Sequence, residues 1–210
     1  MRELILRMSM SLDGFVSDLD GSNKWMFGAD PDARAWSVAT VWNASLHIMG
    51  ARTFHDMSAY WPTSTDAFAP PMNLIPKAVF SRQGPAVLKH VGATAALEEA
   101  LARAGTGQTV ELQPGAESWG EAYVASGDLA EEIAKLKAQD GRPILAHGGV
   151  SFARSLVAQG LVDQIALGVR PWALGKGQPL FSGLAAPMPL RLVSSTTFPG
   201  GAMAQIYRPA

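Results

Sequence analysis

The stretch Ile144–Phe152, with the sequence ILAHGGVSF, indicates how this chain folds. Three apolar residues, Ile144–Ala146, follow a turn-forming segment and predict a short buried strand. The pair Gly148-Gly149 comes next and can take a positive φ, and a helical pattern begins at Ser151. This order brings free N–H groups and the positive end of a helix dipole to one place. The pattern therefore predicts either a phosphate-binding turn or a tight turn without a ligand.

The composition is that of a globular protein with a large core. The chain has 210 residues, of which 48% are hydrophobic and 17% are charged, against roughly 25% charged in a typical domain. The net charge is −1 and the basic residues are scattered, so neither nucleic acid nor a membrane surface is an expected partner. The absence of cysteine excludes disulfides and thiolate catalysis. Because no signal-peptide pattern and no apolar stretch of membrane length occur, we expect a cytoplasmic protein.

Strand and helix patterns alternate along most of the chain. The predicted strands cover residues 4–11, 46–49, 77–80, 122–124, 144–146 and 161–169, and the predicted helices cover residues 33–42, 94–103, 129–139 and 151–158, with a short helix before Trp61. Leu12–Val16 is expected to continue the first strand. Residues 190–198 and 202–207 predict a C-terminal hairpin. The alternation predicts an α/β fold with a mixed, mostly parallel sheet and an antiparallel end.

Residues 85–119 are the weakest part of this pattern. They look like an insertion into one domain that spans residues 1–210. Within them, residues 109–119 are expected to form an extra hairpin or a flap. The sequence leaves open whether the segment serves as a lid, as a dimer arm or as neither.

Three predicted strands end in residues that suit phosphate binding. Gly50–Thr53 follows one strand, Ser81-Arg82 follows another, and Gly148-Gly149 follows a third. In an open α/β sheet, ligands bind outside the carboxyl ends of the strands. An arginine beside a hydroxyl suits phosphate oxygens, although Arg52 and Arg82 are also explained as exposed residues of a helix start and a loop. Three such turns at one sheet edge suit a ligand with several phosphates, such as a dinucleotide.

Six motifs, in this order, resemble the dihydrofolate reductase-like family. They are Ser9–Gly14, Met49–Phe54, Val79–Arg82, Gly148-Gly149, Gly160–Asp163 and Leu174–Phe181. The sequence most closely resembles the branch that contains the reductase domain of the bifunctional riboflavin-biosynthesis deaminase-reductase, and the likeness covers the chain apart from residues 85–119. It implies a three-layer fold with helices on both faces of the sheet, and NADPH as the cofactor. Together with the low charge and the C-terminal hairpin, it also suggests a homodimer.

The resemblance further implies which residues bind NADPH. Phosphate is expected to contact Gly50, Arg52 and Thr53, and the adenosine ribose with its 2′-phosphate is expected to contact Ser81 and Arg82. The diphosphate is expected to contact Gly148, Gly149, Val150, Ser151 and Phe152. The nicotinamide is expected to contact Ser9 and Val16. The family usually has an arginine directly after the first glycine of the GxxT motif, and Ala51 stands there in this chain. Preference for NADPH over NADH then depends on compensation by Arg52 and Arg82.

Two aspartates are candidates for a catalytic acid. Hydride transfer needs the cofactor ring near a C=N or C=O group and a source of a proton. Asp13 matches a residue near the substrate in the riboflavin branch, and it also suits a turn aspartate that accepts backbone hydrogen bonds. Asp30 follows Trp25 at the spacing of the tryptophan and acid in dihydrofolate reductase, and it also fits a helix N-cap before Pro31.

Aromatic and imidazole side chains complete the candidate site. Trp25 and Trp61 flank the expected cleft, where they either cover a flat substrate ring or belong to the core. His147 borders the glycine turn, and it either contacts a cofactor phosphate or bonds to the backbone. The four histidines lack metal-ligand spacing, so no metal is expected.

The sequence therefore predicts an NADPH-dependent oxidoreductase that reduces a small heterocyclic substrate by hydride transfer. The substrate is either a pterin such as dihydrofolate or a ribosylamino-pyrimidinone, and no residue distinguishes them. The alternative is a nucleotide-binding or regulatory protein that keeps the fold without turnover, because fold does not determine function.

Overall fold

A computed structural model describes residues 1–27, 30–104 and 109–210. Its strands are β1 (Leu4–Ser11), β2 (Phe15–Ser17), β3 (Leu46–Gly50), β4 (Lys77–Phe80), β5 (Tyr123–Ala125), β6 (Ile144–Ala146), β7 (Gln164–Arg170), β8 (Gln178–Pro179), β9 (Leu190–Thr197) and β10 (Met203–Pro209). Its α-helices are α1 (Pro31–Trp42), α2 (Ala51–Tyr60), α3 (Ala69–Leu74), α4 (Ala93–Ala104), α5 (Leu129–Ala138) and α6 (Val150–Ala158).

Within the described residues, eight strands form one sheet in the order β5-β4-β3-β6-β1-β7-β10-β9. The neighbours from β5 to β7 pair in parallel. The last two strands are antiparallel, since β10 pairs with both β7 and β9. The predicted mostly parallel sheet with an antiparallel C-terminal hairpin is therefore confirmed.

Helices cover both faces of the sheet, as expected. Successive side chains of a strand point to opposite faces, and in β1 the residues Leu4 and Leu6 pack in one core cluster while Ile5 packs in the other. The first cluster contains buried residues of α5 and α6, and the second contains buried residues of α1, α2 and α3. Across the described parts of the chain, none of the helices has the length and apolar character needed to cross a bilayer.

The first strand ends earlier than its sequence pattern predicts. β1 stops at Ser11, and Gly14 takes a φ of 88° in a turn. The hydroxyl of Ser11 donates to the Asp13 carboxylate at 2.6 Å and accepts from the Phe15 N–H at 3.0 Å, which reverses the chain. The prediction that Leu12–Val16 continues β1 is therefore wrong, because β2 instead pairs with β8 in a separate two-stranded sheet.

Residues 109–119 do not form the predicted hairpin, since all of them are described and no strand occurs there. The segment ends in a 3-10 turn, Ala116–Trp119. Trp119 is fully buried, and its indole N–H donates to the side-chain oxygen of Asn73 at 2.8 Å. Its ring packs against Phe54 at 5.7 Å between centroids. Burial of this indole explains the conformation, because it ties the segment to the core next to α2 and α3.

Candidate functional site

A cavity of about 1200 Å³ opens where β3, β4 and β6 end. Every residue predicted to bind the cofactor lines it: Ser9, Val16, Gly50, Arg52, Thr53, Ser81, Arg82, Gly148, Gly149, Val150, Ser151 and Phe152. Asp30 and Trp61 line it as well. Asp13 and Trp25 lie outside the lining. The parallel strands thus bring the three glycine- and serine-containing turns to one edge of the sheet.

Two of the helices that begin at this cavity lack a side-chain cap. The Asp30 carboxylate caps α1 and the Asp128 carboxylate caps α5 by accepting backbone N–H groups. By contrast, α2 begins after Gly50 and α6 begins after Gly149, and in the described chain no side chain caps either helix. The first N–H groups of a helix have no partner within the helix. The first turns of α2 and α6 are therefore suited to binding an anion.

The two uncapped turns contact each other directly. The Thr53 hydroxyl on α2 donates to the backbone oxygen of Gly148 at 3.3 Å. Gly149 has a φ of 90°, and a Cβ placed there would lie 2.7 Å from the Thr53 hydroxyl oxygen. Glycine is therefore required at position 149 both for its backbone conformation and for the close approach of the turns.

The third turn meets the same wall of the cavity through aromatic side chains. The Phe80 ring at the end of β4 lies 5.0 Å from the Phe152 ring at the start of α6. A Cβ at Gly50 would lie 3.3 Å from the Cβ of Phe152, so β3 also packs closely on this helix. Ser81 is buried and Arg82 is exposed. Strand ends β3, β4 and the start of α6 thus form one continuous surface.

Asp13 is bound by backbone groups outside the cavity. Its carboxylate accepts from the Gly175 N–H at 2.7 Å and from the Leu174 N–H at 3.1 Å, in addition to the Ser11 hydroxyl. The Ser11 hydrogen bond is the main reason that the pKa of Asp13 lies below its ordinary value. These contacts fit the interpretation of Asp13 as a turn aspartate, which fastens the loop after β7 to the end of β1.

Asp30 lies in the cavity wall, but both of its oxygens accept backbone hydrogen bonds. One oxygen accepts from Asp32 and Ala33 at 3.0 Å each, and the other accepts from Gly200 at 2.6 Å. The hydrogen bond from Ala33 is the largest of the causes that lower the pKa of this carboxyl. Asp30 is therefore an ionised helix cap, and an ionised carboxylate accepts hydrogen bonds without supplying a proton.

The two candidate tryptophans are placed differently. Trp61 lines the cavity and packs against Phe68 at 6.2 Å between ring centroids. Its indole N–H is buried and has no partner among the described residues. Trp25 lies in the 3-10 turn Lys24–Met26, and the next two residues, Met26 and Phe27, line the cavity in its place.

Among the arginines of the cavity lining that the sequence patterns missed, two form no ion pair with the described residues. Arg7 lies within β1 and Arg170 ends β7. The Nε atoms of both are buried, and neither has a hydrogen-bond partner in the described part of the chain. The Arg7 guanidinium lies 5.8 Å from the centre of the Phe68 ring. An arginine inside an otherwise apolar strand was the pattern that could have identified Arg7.

His147 lines the cavity next to a second buried histidine. The rings of His147 and His47 meet edge to face, with 4.6 Å between their centroids. Burial is the first cause that lowers the pKa of each, and for His47 the value falls to about 3. Both imidazoles are therefore neutral at physiological pH. The backbone N–H of His147 donates to Ile48 at 2.9 Å, which joins β6 to β3.

Comparison with known proteins identifies the family. The family model of the RibD C-terminal domain matches residues 2–204. The chain belongs to the RibD C-terminal domain family. A relative in this comparison is the uncharacterized protein YyaP of Bacillus subtilis strain 168, which is 25% identical over 206 residues, covering 98% of this chain and 94% of YyaP.

Two solved structures show that this chain has a dihydrofolate reductase-like fold. A diaminohydroxyphosphoribosylaminopyrimidine deaminase/5-amino-6-(5-phosphoribosylamino)uracil reductase of Thermotoga maritima matches with a TM-score of 0.66 and 19% identity, over 100% of this chain and 57% of that protein. Dihydrofolate reductase of Enterococcus faecalis, complexed with NADP(H), matches with a TM-score of 0.56 and 9% identity, over 99% and 96% of the two chains.

Proposed function

We propose that this protein is an NADPH-dependent reductase that transfers a hydride to a C=N or C=O group of a small heterocyclic substrate. The observation that carries the proposal is the contact between two uncapped helix starts, at Gly50 and Gly149, in the wall of a large cavity. Membership of the RibD C-terminal domain family, and a fold shared with a dihydrofolate reductase complexed with NADP(H), support the same function.

The cofactor half of the cavity fits a dinucleotide. The first turns of α2 and α6 offer backbone N–H groups for the diphosphate. Arg82, which is exposed beside the buried Ser81, is placed to meet a further phosphate at the end of β4. Ala51 takes the place of the family's arginine, so Arg52 and Arg82 are the cations of this wall that would select NADPH over NADH.

The cavity is larger than a pocket for one drug-sized ligand. A pocket for one drug-sized ligand measures about 300–1000 Å³, whereas this cavity measures about 1200 Å³. It is also lined by Trp61, Phe68, Arg7 and Arg170. A flat heterocycle would pack there on aromatic rings, with the cofactor ring on the side of Ser9 and Val16.

In this proposal the protein positions the substrate and the cofactor, and its own side chains do not supply the proton. When bound, NADPH supplies the hydride that adds to the carbon of the C=N or C=O group. Asp30 stays ionised and Asp13 lies outside the cavity. In our proposal a water molecule therefore gives the proton to the nitrogen or oxygen, and Trp61 holds the ring of the substrate in position.

Two titrations test the proposed function. NADPH is added to the protein and its fluorescence is followed, and then dihydrofolate or 5-amino-6-(5-phosphoribosylamino)uracil is added while the absorbance of the reduced nicotinamide is recorded. We expect an enhanced NADPH fluorescence and oxidation of the cofactor with one of the two substrates. Failure to bind at millimolar NADPH would contradict the proposal.

The alternative is a nucleotide-binding protein without turnover. The observation that favours it is the engagement of both candidate acids, Asp13 and Asp30, in backbone hydrogen bonds. Under this alternative NADPH binds, but no heterocycle causes its oxidation, and saturation by NADPH leaves the absorbance constant in every mixture.

A further inference from the structure

We infer that Arg7 and Arg170 form a subsite for an anionic oxygen group of the substrate, either a carboxylate or a phosphate. The inference deepens the proposed function and rests on it for the identification of the bound anion as part of a substrate. The subsite itself can be tested without the cofactor.

Both arginines project from the same face of the central sheet. In β1, Arg7 and Ser9 alternate with Leu6 and Met8, which belong to the core of the opposite face. In β7, Arg170 follows Val169, which belongs to that opposite core as well. Because β1 and β7 are paired neighbours, the two guanidinium groups enter the cavity from adjacent strands.

Small residues separate the two arginines. Ser9 pairs with Gly168 at the position between them, and Arg7 itself pairs with Ala166. A Cβ at Gly168 would lie 3.4 Å from the Ser9 hydroxyl, in ordinary contact. The surface between Arg7 and Arg170 is therefore made of a hydroxyl, a glycine and backbone, and a group held by both arginines would rest on it.

The two positive charges lack counterions. Two other arginines of this chain form ion pairs: Arg34 lies 2.5 Å from Asp66, and Arg208 lies 2.8 Å from Glu3. Neither Arg7 nor Arg170 forms an ion pair with the residues that the structure describes. Asp30 acts on Arg170 from a distance, but its oxygens are already used by backbone N–H groups.

Burial of unpaired charges is unfavourable, so this arrangement calls for a negative ligand. The pKa of Arg7 is lowered to about 10, first by burial and then by the charge of Arg170. The contact of Arg7 with the Phe68 ring offsets a part of this penalty. A carboxylate or phosphate in the cavity would compensate the two charges and offset their mutual repulsion, since guanidinium groups match both anions in geometry.

The test compares three probes of similar size on the protein without cofactor. Benzoate and phenyl phosphate each carry an anionic oxygen group, and benzamide is their neutral counterpart. We expect dissociation constants, measured by NMR titration, to be at least about tenfold lower for one or both anions than for benzamide. The anion that binds with the lower dissociation constant identifies the group that the subsite prefers, carboxylate or phosphate. Equal affinity for all three probes would overturn the inference.

Substitution of each arginine tests whether the anion binds at Arg7 and Arg170. In Arg170→Met and in Arg7→Met, the preference for the anion over benzamide is expected to fall to about twofold or less. Arg191→Met is the matched control, because Arg191 is exposed on the edge strand β9, and it should keep the full preference. An anion preference that persists in both Arg7→Met and Arg170→Met would overturn the assignment.

Thermal unfolding gives a second measurement that does not depend on the probes. Removing a buried charge that has no counterion relieves desolvation and repulsion, so Arg7→Met is expected to raise Tm by about 2 °C or more. An arginine retained only for packing would give the opposite result, and a fall in Tm counts against the inference.

The outcome for this subsite can be separated from the outcome for the proposed function. Gly149→Asp places bulk and negative charge at the diphosphate turn after β6, which β1 separates from β7 in the sheet. It should abolish NADPH binding while leaving the benzoate or phenyl phosphate affinity within about twofold of wild type. Anion selectivity in a wild-type protein that does not bind NADPH would refute the proposed reductase and leave the subsite standing.

Discussion

Two glycines at the ends of α6 show what a single residue contributes to the site. Gly149 precedes the helix and Gly160 follows it, and both take a positive φ. An added Cβ would collide with Thr53 at position 149, but it would meet nothing within 4 Å at position 160. A substitution at position 160 therefore introduces backbone strain alone, whereas one at position 149 introduces both strain and a collision with Thr53.

Gly149→Ala is expected to weaken NADPH binding at least about tenfold, because it displaces the Thr53 hydroxyl and the N–H groups that we propose bind phosphate. Gly160→Ala also adds a side chain at a positive φ, which costs about 1–2 kcal/mol for a left-handed residue, but it should leave the affinity unchanged. Fluorescence titration with NADPH measures both. Equal affinities of the two variants would show that the turn at Gly149 is structural only.

Arg82 is expected to select the phosphorylated cofactor. Arg82→Ala should lower the affinity for NADPH about tenfold, the value of one charge-assisted hydrogen bond, and change that for NADH less than twofold. The neighbouring Gln83→Ala, which also lines the cavity, serves as the control. If Arg82→Ala lowers the affinities for NADPH and NADH by the same factor, Arg82 does not contact the 2′-phosphate.

Single residues differ in how well their roles could be predicted. The tight turn at Gly148-Gly149 was predictable, because two adjacent glycines between a strand and a helix allow a positive φ, which Gly149 takes. Asp13 and Asp30 each had two interpretations, which only their hydrogen-bond partners Gly175 and Gly200 separate. Arg7 was missed because strand periodicity identifies buried positions without showing that a buried charge lacks a partner.

Secondary-structure elements depend on contacts between segments that are far apart in sequence. The pattern for β6 matched the structure from Ile144 to Ala146, because three apolar residues after a turn leave few alternatives. β7 begins at Gln164 and not at Leu161, since Asp163 binds the backbone N–H of Leu4 at 2.7 Å before the ladder starts. Such a long-range contact leaves no trace in local periodicity.

The 3-10 turn Ala116–Trp119 allows a test at the scale of an element. Trp119→Ala removes a fully buried indole and its hydrogen bond to Asn73, so the free energy of unfolding should fall by about 3–5 kcal/mol. Trp172, which is 53% exposed, provides the control, since Trp172→Ala should change it by less than about 0.5 kcal/mol. Urea unfolding measures both, and similar effects would mean that residues 109–119 are not held by the core.

The histidines at β3 and β6 predict a dependence of stability on pH. His47 and His147 are buried and neutral, near the positive charges of Lys77 and Arg7, and their pKa values lie below the ordinary 6.5. Below pH 6.5 the unfolded chain therefore binds protons that the folded chain does not. The free energy of unfolding should fall, as pH drops from 6.5 to 5, by up to about 1.4 kcal/mol per pH unit for each histidine.

Urea unfolding at pH 5 and at pH 7 checks this dependence. His47→Asn should remove about half of the slope, whereas His55→Asn should retain it, because His55 is exposed on α2. A free energy of unfolding that is the same at pH 5 and pH 7 in the wild type would contradict the neutral, buried state of the pair.

At the scale of the whole molecule, the edge strand β9 offers a surface for a second copy. Nearly all of its residues are exposed, including Leu192 at 50% and Val193 at 47%. We expect a dimer in solution, with a molar mass by light scattering of twice 22.2 kDa. The double variant Leu192→Lys and Val193→Lys should be monomeric, because two added charges on an edge strand oppose pairing. Leu101→Lys, at a position 48% exposed on α4, is the control.

We propose that the uncapped glycine starts of α2 and α6 make the stability of the protein depend on a bound cofactor. An aspartate cap of the kind seen on α1 contributes about 1 kcal/mol to stability, and these two helices lack one in the described structure. A ligand at one hundred times its Kd adds about 2.7 kcal/mol. The fraction of chains exposed to proteolysis would then follow the supply of cofactor, so that the abundance of this protein reports the nucleotide pool around it.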